Sequence, residues 1–289
     1  MSKQPVRKEV ETTGHEWDGI QEYNNPLPRW WLWTFYGTII WALIYTILYP
    51  AWPIFSTGAT PGVLGYSSRA EVQAEIDRFK AMRAPLDAKL VKADLTTVKE
   101  QDPELYRYAL HGGAAVFRTW CAQCHGAGGQ GGPGYPNLLD DDWLWGGTVE
   151  DIYYTVSHGI RSPDDEDTRT SEMPSFADVL EPAEVEAVAN YVLKLAGEPH
   201  DEAKATAGET VFADNCAGCH GEQGEGSRDV GAPRLNDAIW LKVREPSVEA
   251  IKSQVLNPKH GVMPAWSVRL DDAAIRQVTL YVHSLGGGE

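Results

Sequence analysis

One five-residue signature occurs twice and accounts for every cysteine in the chain: Cys121-Ala122-Gln123-Cys124-His125 and Cys216-Ala217-Gly218-Cys219-His220. Two thiols three residues apart lie about one helical turn from each other, which suits thioether bonds to the two vinyl groups of a haem. The histidine that follows directly then reaches the iron. A thioredoxin-like dithiol would need a βαβ context, and a zinc site would need four ligands in one cluster. Neither pattern is present. The reading is therefore two covalently attached c-type haems, through Cys121, Cys124, Cys216 and Cys219, with His125 and His220 as axial ligands.

Each signature is followed by Met-Pro, at Met173-Pro174 and Met263-Pro264. A thioether sulfur in the sixth position would complete the iron coordination and raise its potential. Proline after each methionine biases it toward extended backbone, which suits a ligand-bearing loop. The other methionines are Met1 and Met82, the latter in a charged helical stretch, so Met173 and Met263 are the candidate sulfur ligands. Besides the signature histidines there are six: His15, His111, His158, His200, His260 and His283. His158 and His260 precede the two methionines, and bis-histidine ligation is the alternative they offer.

The repeat extends beyond the cysteines. Gly113, Phe117 and Cys121 match Gly208, Phe212 and Cys216, each set spaced by four along one helix face. Toward each end, Val188, Tyr191 and Leu195 match Val278, Tyr281 and Leu285, an apolar helical stripe. This pattern resembles the class I cytochrome c fold, whose first and last helices cross closely. The resemblance implies that Gly113 and Gly208 are notches admitting Tyr191 and Tyr281. It also implies that a proline carbonyl accepts a hydrogen bond from the free nitrogen of each ligand histidine, which assigns Pro136 and Pro233. Each repeat is long enough to hold its own methionine, but two similar repeats packed together could exchange their methionine loops. The sequence is compatible with either pairing.

Residues 30–49 read WWLWTFYGTIIWALIYTILY, without a charge. At about 1.5 Å per residue this spans a hydrocarbon core of roughly 30 Å. Trp30, Trp31 and Trp33 at one end, with Tyr45, Tyr49 and Trp52 at the other, form interfacial aromatic belts. A cleaved signal peptide would have a shorter apolar core and a short basic start. Lys3, Arg7, Lys8 and Arg29 precede the segment, whereas only Arg69 lies in the twenty residues after it. This bias places the N-terminus in the cytoplasm and the haem domains outside, in the periplasm of a bacterial inner membrane.

The expected architecture is mainly α: a cytoplasmic tail (1–29), one N-terminal transmembrane helix (30–50), a periplasmic connector with a helical segment (51–103), and two tandem class I cytochrome c domains (104–199 and 203–287). Asp102-Pro103 reads as an N-cap with proline at the first helical position. The chain carries a net charge of −16, and four basic and five acidic residues fall in its first fifty, so the external part carries −15. Such a surface excludes nucleic acid and favours a basic protein partner, with a small basic cytochrome c as the obvious donor.

His15-Glu16-Trp17-Asp18-Gly19-Ile20, followed by Asn25-Pro26-Leu27-Pro28-Arg29-Trp30-Trp31, is similar to the start of the dihaem CcoP/FixP subunit of cbb3-type cytochrome c oxidases, and the similarity covers essentially the whole chain. It implies an electron-transfer subunit that takes electrons from a cytochrome c and passes them to a monohaem subunit and on to the catalytic haem-copper subunit. It implies no oxygen reduction by the chain itself. Two other readings compete: a free-standing tethered electron shuttle, and a dihaem peroxidase, which would need one iron to lose its methionine.

Overall fold

The structure is a computed structural model, and residues 11–54, 58–243 and 245–289 are described. They form two units, 1–82 and 83–289. In the first, strands β1 (Thr12–Trp17) and β2 (Ile20–Tyr23) pair antiparallel across an Asp18-Gly19 turn. Both turn residues have positive φ, 46° and 83°, as a tight hairpin of this kind requires.

Helix α1 (Arg29–Leu48) has no buried residue, although it is apolar on every side. Among the described residues it is the one helix long and apolar enough to cross a membrane. Its three threonines are satisfied internally: the hydroxyls of Thr34, Thr38 and Thr46 donate to the carbonyls of Trp30, Phe35 and Leu43. In hydrocarbon no water would be available to do this. After α1 come a short antiparallel pair, β3 (Pro53–Ile54) and β4 (Gly58–Ala59), and a returning loop. There Val63 and Leu64 donate to the Ile47 and Leu48 carbonyls, which helix termination would otherwise leave without partners.

Helix α2 (Ser68–Lys92) is charged and mostly exposed, and contains Pro85. Its last turns belong to the second unit, where Leu90 is fully buried with Val98, Leu105, Ala109, Val149 and Leu280. The short helix α3 (Val98–Gln101) leads into α4 (Pro103–Val116). Asp102 caps α4 by accepting from Leu105 N at 3.1 Å, with Pro103 at the first helical position. Lys89 beside it holds the Asp102 carboxyl below its usual range.

A π-helical turn (Phe117–Cys121) carries α4 into α5 (Ala122–His125). Then follow α6 (Val149–His158), α7 (Pro182–Leu195), α8 (Glu202–Asn215), α9 (Ala217–His220), α10 (Val248–Leu256), a 3-10 turn (Trp266–Val268) and α11 (Asp272–His283).

The pairing of these helices differs from the expectation of two self-contained folds. The close crossings are α7 with α8 and α4 with α11. A Cβ on Gly113 would stand 2.1 Å from the Gln277 carbonyl oxygen and 2.7 Å from Tyr281 Cβ, so this notch admits Tyr281 and not Tyr191. A Cβ on Gly208 would stand 2.2 Å from the Ala187 carbonyl oxygen, and Tyr191 packs on Phe212 at 5.3 Å between rings. The segments 104–199 and 203–287 are thus repeats in sequence. Each packed lobe draws its first helix from one repeat and its last helix from the other.

The physical reason is the short link 196–201. Helices joined by so few residues pack together at little entropic cost. Here Asn190 accepts from Asp201 N at 2.9 Å, and Lys194–Glu202 and Lys204–Glu186 ion pairs at 2.5 Å bridge the two helices. With α7 taken by α8, the remaining last helix, α11, covers α4. The end of α2 then holds α11: Gln277 donates to Asp87 at 3.0 Å and Arg276 to the Ala93 carbonyl at 3.1 Å. Tyr108 donates to the same Asp87 at 2.6 Å, and burial together with that bond pushes its phenol up to about 12.

Candidate haem-binding sites

Both signatures sit at the end of a first helix and stop at a glycine of positive φ, Gly126 and Gly221, each at 81°. This left-handed residue turns the chain so that the following loop folds back over the histidine. Gly131 N then donates to the His125 carbonyl, and Gly226 N to the His220 carbonyl, each at 2.7 Å. The fold-back brings His125 Nδ1 to 3.0 Å from the Pro136 carbonyl and His220 Nδ1 to 3.0 Å from the Pro233 carbonyl. A carbonyl only accepts, so each Nδ1 carries the proton and each Nε2 keeps a free lone pair. Burial lowers both imidazole pKa values, opposed by the proline carbonyls, which favours the neutral ring a metal needs.

The methionines lie across the repeats. Met173 lines one cavity with Cys216, Cys219, His220 and Pro233, walled by Val188, Val192, Phe212, Leu235, Ile251 and Val255. Met263 packs on the other core, formed by Phe117, Leu138, Ile152, Val156 and Trp266, which Cys121 also joins. Burial pushes the Cys121 and Cys216 thiols up to about 11, a mark of apolar surroundings. The alternative histidines are more exposed or otherwise engaged. His158 is engaged by Asp165 at 3.1 Å through Nδ1, and His260 is exposed at the rim of the Met173 cavity.

The Met173 cavity has a polar edge that sequence reasoning did not identify. Trp240 Nε1 is buried there without a partner among the described residues. Arg161 and Lys242 line the same cavity and form no ion pair among the described residues, and burial lowers the pKa of both. A cavity lined by two thiols, an imidazole, a thioether and apolar side chains, with two cations and an indole N–H in its wall, fits haem, a flat apolar macrocycle with carboxylates at one margin. The equivalent of Trp240 in the first repeat, Trp143, donates instead to the Gly287 carbonyl.

Gly159 closes the arrangement around Met263. Its φ is +71°, and a Cβ would stand 2.3 Å from the Met263 carbonyl oxygen. Gly159→Ala is expected to displace the Met263 loop and, with Met263 sulfur as an iron ligand, to cost one haem only its ferric sulfur-to-iron charge-transfer absorption. Retention of the full absorption would refute this.

Fold and sites together define a pair of cytochrome c domains. Residues 111–196 match the cytochrome c family model, residues 203–282 that of cytochrome c oxidase, cbb3-type, subunit III, and residues 9–56 that of the N-terminal domain of cytochrome oxidase-cbb3, FixP. The chain is 54% identical to a cbb3-type cytochrome c oxidase subunit CcoP of Rhodobacter capsulatus and 54% identical to that of Cereibacter sphaeroides, over the whole of each chain. It is 55% identical to the subunit FixPc of Rhizobium leguminosarum bv. viciae, over 96% of each. The chain belongs to the CcoP/FixP family of cbb3-type cytochrome c oxidase subunits.

Proposed function

We propose that this chain is the membrane-anchored dihaem electron relay of a cbb3-type terminal oxidase. It holds two haems c, covalently through Cys121 and Cys124 and through Cys216 and Cys219. His125 with Met263, and His220 with Met173, would hold the two irons. Bound there, haem supplies reversible one-electron exchange between ferric and ferrous iron.

The residues of the chain do the rest. Pro136 and Pro233 orient the imidazoles, and methionine sulfur on each iron would leave no open position for a substrate, which favours relay over peroxidase chemistry. Phe117, Val156, Trp266, Phe212, Ile251 and Val255 exclude water. The acidic external surface steers a basic cytochrome c donor, and the electrons continue to the monohaem and catalytic haem-copper subunits. The N-terminus is cytoplasmic and both lobes are periplasmic.

The observation that carries this reading is the duplicated geometry: a histidine with its Nδ1 occupied by a proline carbonyl at 3.0 Å, in a core also touched by methionine. An alkaline pyridine spectrum with an optical redox titration of the purified complex tests it. Two c-type haems per chain, both low-spin and unreactive to carbon monoxide, are expected. One haem, or carbon monoxide binding to either haem of this subunit, would refute it.

A further inference from the structure

Both methionine loops converge on one side chain. Arg161 Nε donates to the Gly261 carbonyl at 2.7 Å, and its Nη1 donates to the Ser171 carbonyl at 2.6 Å. Gly261 and Ser171 each lie two residues before a methionine, Met263 and Met173. The backbone around Arg161 is built into the same assembly. Ile160 exchanges both hydrogen bonds with Met263, at 2.9 and 3.0 Å, and Arg161 N donates to the Arg169 carbonyl at 2.8 Å. Ser162, buried beside it, accepts from Ala265 N at 3.1 Å. Arg161 also adopts φ +53°, a left-handed conformation uncommon for a residue with a side chain, which the surrounding bonds hold in place.

We propose that Arg161 is a positioning residue shared by the two iron sites: its guanidinium fork pins both methionine loops, so that sulfur ligation at the two haems is coupled through one side chain. This rests on the methionine ligation proposed above. Arginine suits the task because two of its donors lie in a fixed plane and reach two acceptors at once, which a single ammonium does not do in the same geometry. The two carbonyls belong to different repeats, so the clamp exists only because the last helices are exchanged.

The test is exogenous imidazole binding to the ferric protein in the intact complex, with sulfur-to-iron charge-transfer absorption recorded for each haem. Imidazole competes with methionine for the iron, so it reads how firmly each loop is held. In Arg161→Gln, imidazole is expected to bind about tenfold or more tightly at both haems, the scale of a lost hydrogen bond to a charged group, with both covalent attachments intact on haem-stained gels. Arg161→Lys keeps the charge and is expected to show the same direction at both sites; it serves as the reading if the glutamine variant fails to assemble. A change at only one haem, or at neither, overturns the clamp. Absence of the charge-transfer absorption from the unsubstituted protein would instead overturn the methionine assignment on which the clamp rests.

Discussion

Replacing Met263 by histidine is expected to lower the potential of the haem attached at Cys121 and Cys124, and to leave the haem at Cys216 and Cys219 nearly unchanged. Met173→His should do the reverse. Imidazole in place of thioether stabilises ferric iron, and axial ligand choice spans about 0.8 V across haem proteins, so a fall on the order of 0.1 V or more is the expected size. Each assignment is read in a background that keeps one haem: Cys216→Ser with Cys219→Ser leaves the first, and Cys121→Ser with Cys124→Ser leaves the second. The exchange puts Met173 in the cavity of His220 and Met263 on the core that includes Cys121. If each methionine tuned the haem of its own repeat, the crossed arrangement would be wrong in solution.

Valine at Gly113 or Gly208 is expected to destabilise the second unit strongly. The added carbon would stand 2.1 Å from the Gln277 carbonyl oxygen in the first case and 2.2 Å from that of Ala187 in the second. Both obstacles are backbone, so no rotamer change relieves them and the helices must separate. Overpacking commonly costs about 1–3 kcal/mol. A crossing forced apart along its length exceeds that, against a total stability of about 5–15 kcal/mol. Denaturation followed by haem absorbance should show a large fall in midpoint. Gly218→Ala, where a Cβ meets nothing within 4 Å, should be near neutral. A Gly113→Val protein as stable as this control would refute the close crossing.

Much of the architecture is legible along the chain because its causes are local. The uncharged run of residues 30–49 forms α1 (Arg29–Leu48), and Asp102-Pro103 caps and starts α4. The charged periodic stretch after Arg69 forms α2. Hairpin β1–β2 was not anticipated in the tail, although Asp18-Gly19 is a recognisable turn signal. The fold-back from Gly126 and Gly221 to the proline carbonyls is likewise a short-range event. Trp240, Arg161 and Lys242 were missed for a different reason. An indole N–H and two cations that find no hydrogen-bond or carboxylate partner, respectively, among the described residues have no sequence signature, and only their arrival at one cavity gives them meaning.

The amino-acid sequence by itself determined the paired Cys-x-x-Cys-His signatures, the membrane-length helix and the duplication, since each depends on residues close together in the chain. The tertiary structure alone decided which methionine loop and which last helix pack beside which signature. Val188, Tyr191 and Leu195 present the same apolar face as Val278, Tyr281 and Leu285, so either stripe fits either glycine notch by composition. The choice falls to chain connectivity: six residues between α7 and α8 make that crossing the cheaper loop to close, and α11 is left to complete the first lobe.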